Sequence, residues 1–346
     1  MAELFVVFVI LCLCSCRVQL GKEINRDYLS FEQTQAVKGF FIILVFIKHF
    51  NAYVTYVRYR DVLCGMSVDL LGQLIVVAFL FYSGYGVMES IRKKGKAYIR
   101  SIPQKRFLPT LFRFDCAVLL FAVVALCRRI TITLKWFLLS LTGWDSLGNS
   151  NWYIFAILML YLITYVSFTL FSDERKAVAA CFVLVCAGIF VLSHWNIKQV
   201  YWYDTALCYV LGMAYSLYRG QIEKVVSSSR AVHLLLVAIL GGAVIALTPY
   251  EYEALGSSIR TCLFAMFVVL VTMRVRLKSR VFQWCGKHLF PLYILQRIPM
   301  IVLSHFGLAE ASIPLFLVSC LAITLLMTIP FELATDWLWK KLVPNQ

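Results

Sequence analysis

Apolar windows long enough to cross a bilayer recur along the whole of this chain, and that recurrence leaves few folds open. They fall at 3–20, 36–56, 66–89, 114–134, 151–171, 177–194, 201–218, 231–248, 257–273, 287–305 and 313–339. Most have the roughly 17–25 residues that a helix needs to traverse the hydrocarbon. A segment inside lipid must satisfy every backbone N–H and C=O internally, which windows of this kind do as helices. The chain is 61% hydrophobic and 15% charged, with a mean hydropathy of +0.80, too apolar for a soluble domain. The expectation is an all-α integral membrane protein, a polytopic bundle of about 10–11 transmembrane helices.

The net charge of +15 could suggest a nucleic-acid partner, but its distribution excludes that reading. When alternate loops are assigned to one side, beginning with 18–38, that side holds 23 of the 33 Lys and Arg residues and the other holds seven. Positive charge retained in the cytoplasm then places the N-terminus outside and the C-terminus inside. The basicity is mostly topology. Met1-Ala2-Glu3 leads straight into the first apolar run, without the basic start of a signal peptide, so 3–20 reads as a retained helix, with processing at the lipoprotein-like Leu13-Cys14-Ser15-Cys16 as the alternative. The 12 cysteines are scattered mostly singly in apolar segments, where Cys packs as a small hydrophobe. Cys12, Cys14 and Cys16 lack an accompanying histidine, so no metal site is expected.

Against this apolar background, a few polar residues stand out. Lys38 and His49 are eleven positions apart, which at 100° per residue leaves them about 20° apart on one helix face and about 16 Å apart in height. Lys38 would stand at the inner boundary and His49 about two thirds of the way across, where a titratable group is expected to be functional. The bland alternatives are a snorkelling lysine and a packed imidazole. The next helix carries Asp69 and Gln73 in its outer half, then Phe79-Leu80-Phe81-Tyr82-Ser83-Gly84-Tyr85-Gly86. Its small residues would admit a ligand or another helix. The loop 92–113 bears eight cations, including Arg100, Lys105 and Arg106, suited to a phosphate-rich ligand or to anionic lipid headgroups. On the outer side, the loop 142–153 places Trp144, Asp145, Asn149, Asn151 and Trp152 together. These are residue types that contact sugars, although an interfacial aromatic belt would supply the same rings. Gln296 and Arg297 fall in the middle of window 287–305, and a buried Arg there needs a partner or a polar cavity. Asp69, Asp115, Asp204 and Glu332 are the candidate partners.

These motifs, in this order, resemble the acyltransferase-3 family of integral-membrane acyltransferases. Lys38-Gly39-Phe40-Phe41-Ile42-Ile43-Leu44-Val45 leading to His49 resembles the family's opening helix, with a cation ahead of an essential His. Residues 79–84 resemble its Phe-Phe-x-x-Ser-Gly element, with Leu80 in place of the second Phe. Lys105-Arg106-Phe107-Leu108-Pro109 resembles the basic start of its third helix, although Pro103 stands where an Arg is usual. Trp152-Tyr153 with Leu158 and Tyr161 resembles the Trp-Tyr-Leu helix start. Residues 286–299 resemble a late Gly-x-x-Ser-x-x-x-Tyr-Leu-x-His-x-Pro pattern in which Gln296 replaces the His.

The resemblance implies a ten-helix acyltransferase core over residues 31–346, with an extra N-terminal helix and a short cytoplasmic linker over 1–30. It implies O-acylation, most simply O-acetylation, of a cell-envelope polysaccharide (an exopolysaccharide or similar glycan) or its lipid-linked precursor, in a bacterial inner membrane. Acyl-CoA such as acetyl-CoA would be a co-substrate, with no permanently bound cofactor. The partners are membrane lipids and a cell-surface glycan or lipid-linked sugar. His49 would be the catalytic base. Lys38, Ser83, Gly84, Arg100, Lys105 and Arg106 would line the donor site, and Asp69, Trp144, Asp145, Asn149, Asn151 and Trp152 the acceptor site. The rival readings are a transporter or flippase of glycan- or acyl-bearing lipids, marked by paired inverted repeats or Gly/Pro-broken helices in corresponding halves, no clear pair of which is evident here, and a catalytically silent sensor of the same fold.

Overall fold

The computed structural model of the chain describes residues 17–20, 24–55 and 72–344. Within them the fold is all-α apart from one two-stranded ribbon. β1 (Arg17–Leu20) pairs antiparallel with β2 (Val275–Lys278). The apolar window 3–20 therefore ends in a strand rather than in helix, and its remainder lies outside the described residues. Between the strands run α1 (Phe31–Asn51), α2 (Leu74–Lys94), α3 (Lys96–Ile102), a π-helical turn (Pro103–Phe107), α4 (Leu108–Cys127) and α5 (Leu134–Leu141). α6 (Trp152–Leu170), α7 (Glu174–His194), α8 (Ala206–Val226), α9 (Arg230–Ala246) and α10 (Ala254–Thr272) complete that stretch. After β2 come α11 (Arg280–Lys287), α12 (Leu289–Leu295), α13 (Arg297–His305), the single turn α14 (Leu308–Ala311) and the long α15 (Ile313–Leu342).

Six of the described helical segments are long and apolar enough to cross a membrane, or seven if α8 and α9, bent by 119°, are counted as one broken span. The protein is thus an all-α polytopic membrane protein. α1 is not among the six; its polar residues, Lys38, Lys48, His49 and Asn51, are of functional interest. Among the departures from the apolar windows, three matter most. The helix expected over 114–134 ends at Cys127, because the chain turns at Arg129, whose φ of 59° is left-handed. The window 287–305 is broken at His288 and again at Gln296, into α12 and α13. The window 3–20 is the third.

α1 begins where the Ser30 hydroxyl accepts from the Gln33 N–H, satisfying one of the orphan donors of a helix start. Its register in the bundle is then set by close backbone contact. A Cβ on Gly39 would collide with the Phe282 carbonyl of α11, and one on Gly286 of α11 would collide with the Gln35 carbonyl of α1. The same reciprocal device joins α2 to α8, where Gly84 meets the Tyr209 carbonyl and Gly212 meets the Phe81 carbonyl. Lipid offers no hydrophobic gain for helix association, so small residues at crossings supply the packing instead. Gly84→Ala is therefore expected to cost about 1–3 kcal/mol of stability through overpacking, seen as a lower melting temperature in detergent. Gly86, two residues on, has nothing within 4 Å of its Cβ position, and Gly86→Ala should melt like the wild type. Equal melting of the two variants would refute this account of the crossing.

Candidate active site

His49 occupies the last turn of α1. Next to it, Phe46 and Phe50 pack with Met300, Phe316 and Cys320 from α13 and α15. Phe50 and Phe316 lie 5.0 Å apart at their ring centroids. This apolar anchor fixes the end of α1, and the imidazole meets two residues far away in sequence. Its Nε2 is 3.4 Å from the Ser150 hydroxyl, and its ring is 6.2 Å from that of Tyr293 on α12. Arg297, at the start of α13, lies within electrostatic reach of both His49 and Tyr293. The Arg297 Nε donates to the Tyr53 hydroxyl at 3.2 Å, with the guanidinium 6.0 Å from the ring centroid.

Several polar atoms of this region are buried without a hydrogen bond. They include His49 Nδ1 and Asn149 Nδ2, while the Tyr293 hydroxyl lies within hydrogen-bonding reach of Ser150. Native interiors leave few such groups, and these two atoms lie where the end of α1 meets the loop 142–151. The same site thus contains a base, hydroxyls, a guanidinium and unused donors, which is the equipment of acyl transfer.

The lower end of α1 brings two cations together. Lys38 is half-buried and lies within electrostatic reach of Arg106. Arg106 projects from the π-helical turn and its Nε donates to the Tyr98 hydroxyl at 3.1 Å. Between this pair and His49 stand buried tyrosines. Tyr161 interacts with both Arg106 and Tyr98, and Tyr153 with Tyr161 and Ser83. The rings of Tyr153 and Tyr293 are 5.2 Å apart. A continuous line of hydroxyl-bearing residues therefore links the two ends of the Lys38–His49 face.

Other residues expected at a site are placed differently. Arg100 and Lys105 are exposed, as is Arg106; what sets Arg106 apart is its bond to Tyr98 and its proximity to Lys38. Gly84 faces the α8 backbone, so the approach that it permits is that of a helix rather than a ligand. Asp69 lies outside the described residues. The Gln296 amide donates to the Tyr293 carbonyl at 3.0 Å, stitching the break between α12 and α13, which separates its role from that of Arg297. Of the candidate partners for Arg297, Asp204 accepts from Ser257 and Glu332 pairs with His288.

The loop 142–151 spends most of its polar groups on its own shape. Asn151 Nδ2 donates to the carbonyls of Gly143 and Asp145 at 2.8 and 2.9 Å. Asn149 Oδ1 accepts from the Leu147 N–H at 3.1 Å and from the Ser146 hydroxyl at 3.2 Å. Asp145 Oδ1 accepts from the Ser146 N–H. Trp144 packs against Phe155 and Trp202, and Lys198 lies over Trp144 and Trp202 at 4.3 and 4.0 Å while donating to the Trp144 carbonyl. Burial draws the Lys198 ammonium pKa down, opposed by Asp145. Trp152 sits edge-on to Tyr153 and Tyr201. The residue types that suggested sugar contact therefore build a rigid cap over the site, and Asn149 Nδ2 is the amide donor they leave over.

The sequence does not single out Ser150 or Tyr53, and Tyr153 and Tyr293 enter it as motif positions rather than as site residues. Ser150 was flanked by two flagged asparagines, and Tyr293 sits in the late motif at its Tyr position. These were the available signals.

A family model described as an acyltransferase domain matches residues 33–332, from just ahead of Lys38 to the Glu332 that pairs with His288. No curated protein and no solved structure gives a significant match.

Proposed function

Since the chain belongs to the acyltransferase-3 family, and so is a membrane acyltransferase by reaction class, we propose that it is an O-acyltransferase that draws on cytoplasmic acyl-CoA, most simply acetyl-CoA, and acylates a hydroxyl of a cell-envelope polysaccharide or its lipid-linked precursor. The observation that carries this reading is the line of residues from the Lys38–Arg106 cation pair to the His49–Ser150 contact. A cation pair suits the phosphates of a nucleotide-bearing donor. The rise of α1 between Lys38 and His49, about 16 Å, asks for an extended, flexible arm carrying a reactive group, as a pantetheine thioester has. The tyrosine and serine hydroxyls along that line offer hydrogen bonds to amides of such an arm inside a span where water is scarce.

At the far end His49 is the general base, with Nε2 accepting a hydroxyl proton; that needs the tautomer protonated on Nδ1. Arg297 and the Tyr293 hydroxyl supply positive potential and a hydrogen bond where the carbonyl oxygen becomes an oxyanion. The positive-inside distribution of Lys and Arg supports placing the Lys38 end in the cytoplasm and the His49 end toward the outer face. In that orientation the donor and acceptor enter from opposite sides.

The test is to incubate the purified protein in lipid with radiolabelled acetyl-CoA and a panel of envelope glycans and polyprenyl-linked sugars. Label appearing on a sugar hydroxyl as an alkali-labile ester is the expected result. If no acetyl-CoA is consumed while the sugar-lipid crosses vesicle membranes, a transporter is the correct reading.

A further inference from the structure

The acyl-transfer reading leaves open whether the acyl group passes directly from donor to acceptor, and the loop 142–151 bears on that. We propose that Ser150 is a catalytic nucleophile that holds the acyl group as an ester between donor and acceptor, with His49 as its base; this rests on the function proposed above. Three observations carry it. The hydroxyl is 3.4 Å from the imidazole Nε2, and a nucleophile and base commonly stand this far apart before substrate binds. Ser150 is 4% exposed and is fixed from both sides, by Asn149 against Leu147 and Ser146 and by Asn151 against Gly143 and Asp145. Gly148, with φ of 109°, makes the turn that delivers it, a backbone conformation open to glycine.

The contrast with Ser146 is instructive. The Ser146 hydroxyl donates to the Asn149 carbonyl at 2.6 Å and accepts from the Gly148 N–H at 3.0 Å, so it is a loop-building serine. Ser150 instead places its hydroxyl between the His49 imidazole and the Tyr293 hydroxyl. Beside it stands the Tyr293 hydroxyl, within hydrogen-bonding reach of Ser150, a donor of the kind that an oxyanion requires. The two asparagines therefore have a second consequence: the bonds that close the loop also hold the nucleophile in place.

The chemistry balances in two steps. Ser150 Oγ attacks the thioester carbonyl as His49 Nε2 takes its proton. The C–S bond then breaks, the serine ester forms, and the thiolate leaves with the proton from the imidazolium as free CoA thiol. In the second step His49 takes the proton of the acceptor hydroxyl as that oxygen attacks the serine ester. The C–Oγ bond breaks and Ser150 recovers its proton. Nothing is oxidised or reduced. A carrier of this kind lets thioester and sugar use one site in turn, which suits partners arriving from opposite ends of the protein.

The experiment uses the full chain in lipid nanodiscs with labelled acetyl-CoA and no acceptor, quenched in acid and mapped by peptide mass spectrometry. An acetyl ester on Ser150, formed with a stoichiometric burst of free CoA, is expected. Ser150→Ala should lose both the ester and transfer while melting like the wild type. Ser150→Cys, which keeps the size of the side chain, should form a thioester that neutral hydroxylamine releases. Transfer by Ser150→Ala at the wild-type rate, an adduct on another residue, or no thioester on Ser150→Cys would each overturn the carrier and leave acyl transfer standing. A wild-type protein that neither consumes acetyl-CoA nor becomes labelled would overturn the carrier and the acyltransferase reading together.

Discussion

His49→Ala is expected to lower acyl transfer by about 10²–10⁴-fold, the usual contribution of a positioned general base, with little change in the melting temperature of the protein in detergent. The imidazole is placed for chemistry more than for cohesion. Its Nε2 meets Ser150 at 3.4 Å and its Nδ1 is buried without a partner, so it contributes little hydrogen bonding to the fold. The end of α1 is held instead by Phe46 and Phe50 against Phe316 and Met300, none of which the substitution touches. Truncation leaves a small cavity at the site rather than in the main core. Acetyl-CoA binding should be preserved as well, because the Lys38–Arg106 pair lies about 16 Å along the helix. The measurement is a paired one, of transfer of label to glycan and of acetyl-CoA affinity. A variant that still acylates at more than about a tenth of the wild-type rate would remove His49 from the role of base.

That Lys38 and His49 share one helix and one face was legible from sequence, because a helix in lipid has little freedom: the bilayer sets its length and the 3.6-residue turn sets which residues share a face. The fold class followed from the same constraint. The partners of His49 were not legible, because they arrive from other elements. Ser150 is 101 positions away, in a loop whose composition suggested sugar contact. Composition could not show that Asn149 and Asn151 would be consumed in closing that loop. The small residues near Ser83 divided in a way that periodicity cannot resolve: Gly84 meets the α8 backbone and Gly86 meets nothing. Window 287–305 looked continuous in hydropathy, yet its breaks put Tyr293 and Arg297 on separate helices that both converge on His49.

Arg297 is where the second large effect is expected. A guanidinium in the middle of an apolar span is costly, by at least about 2.5 kcal/mol on insertion scales, and persists where a partner or a polar cavity receives it. Among the described residues Arg297 forms no ion pair; Nε donates to the Tyr53 hydroxyl, and the guanidinium has five N–H donors in all. Its charge reaches the site shared with His49 and Tyr293. Positive potential fixed in a low-dielectric pocket is worth most where negative charge appears during reaction, which in acyl transfer is the carbonyl oxygen. Arg297→Gln, which keeps polarity and removes the charge, should lower kcat by about 10²–10³-fold, in line with the loss of an oxyanion donor, with a much smaller change in KM for acetyl-CoA. Tyr53→Phe removes only the anchor of the guanidinium, one hydrogen bond of about 0.5–1.5 kcal/mol, and should cost only about 2–10-fold. If Arg297 instead served only the packing of α13 against its neighbours, Arg297→Gln would melt early and the small fraction still folded would turn over normally. A normal kcat per folded molecule would therefore refute the electrostatic role, and a depressed kcat at unchanged stability would establish it.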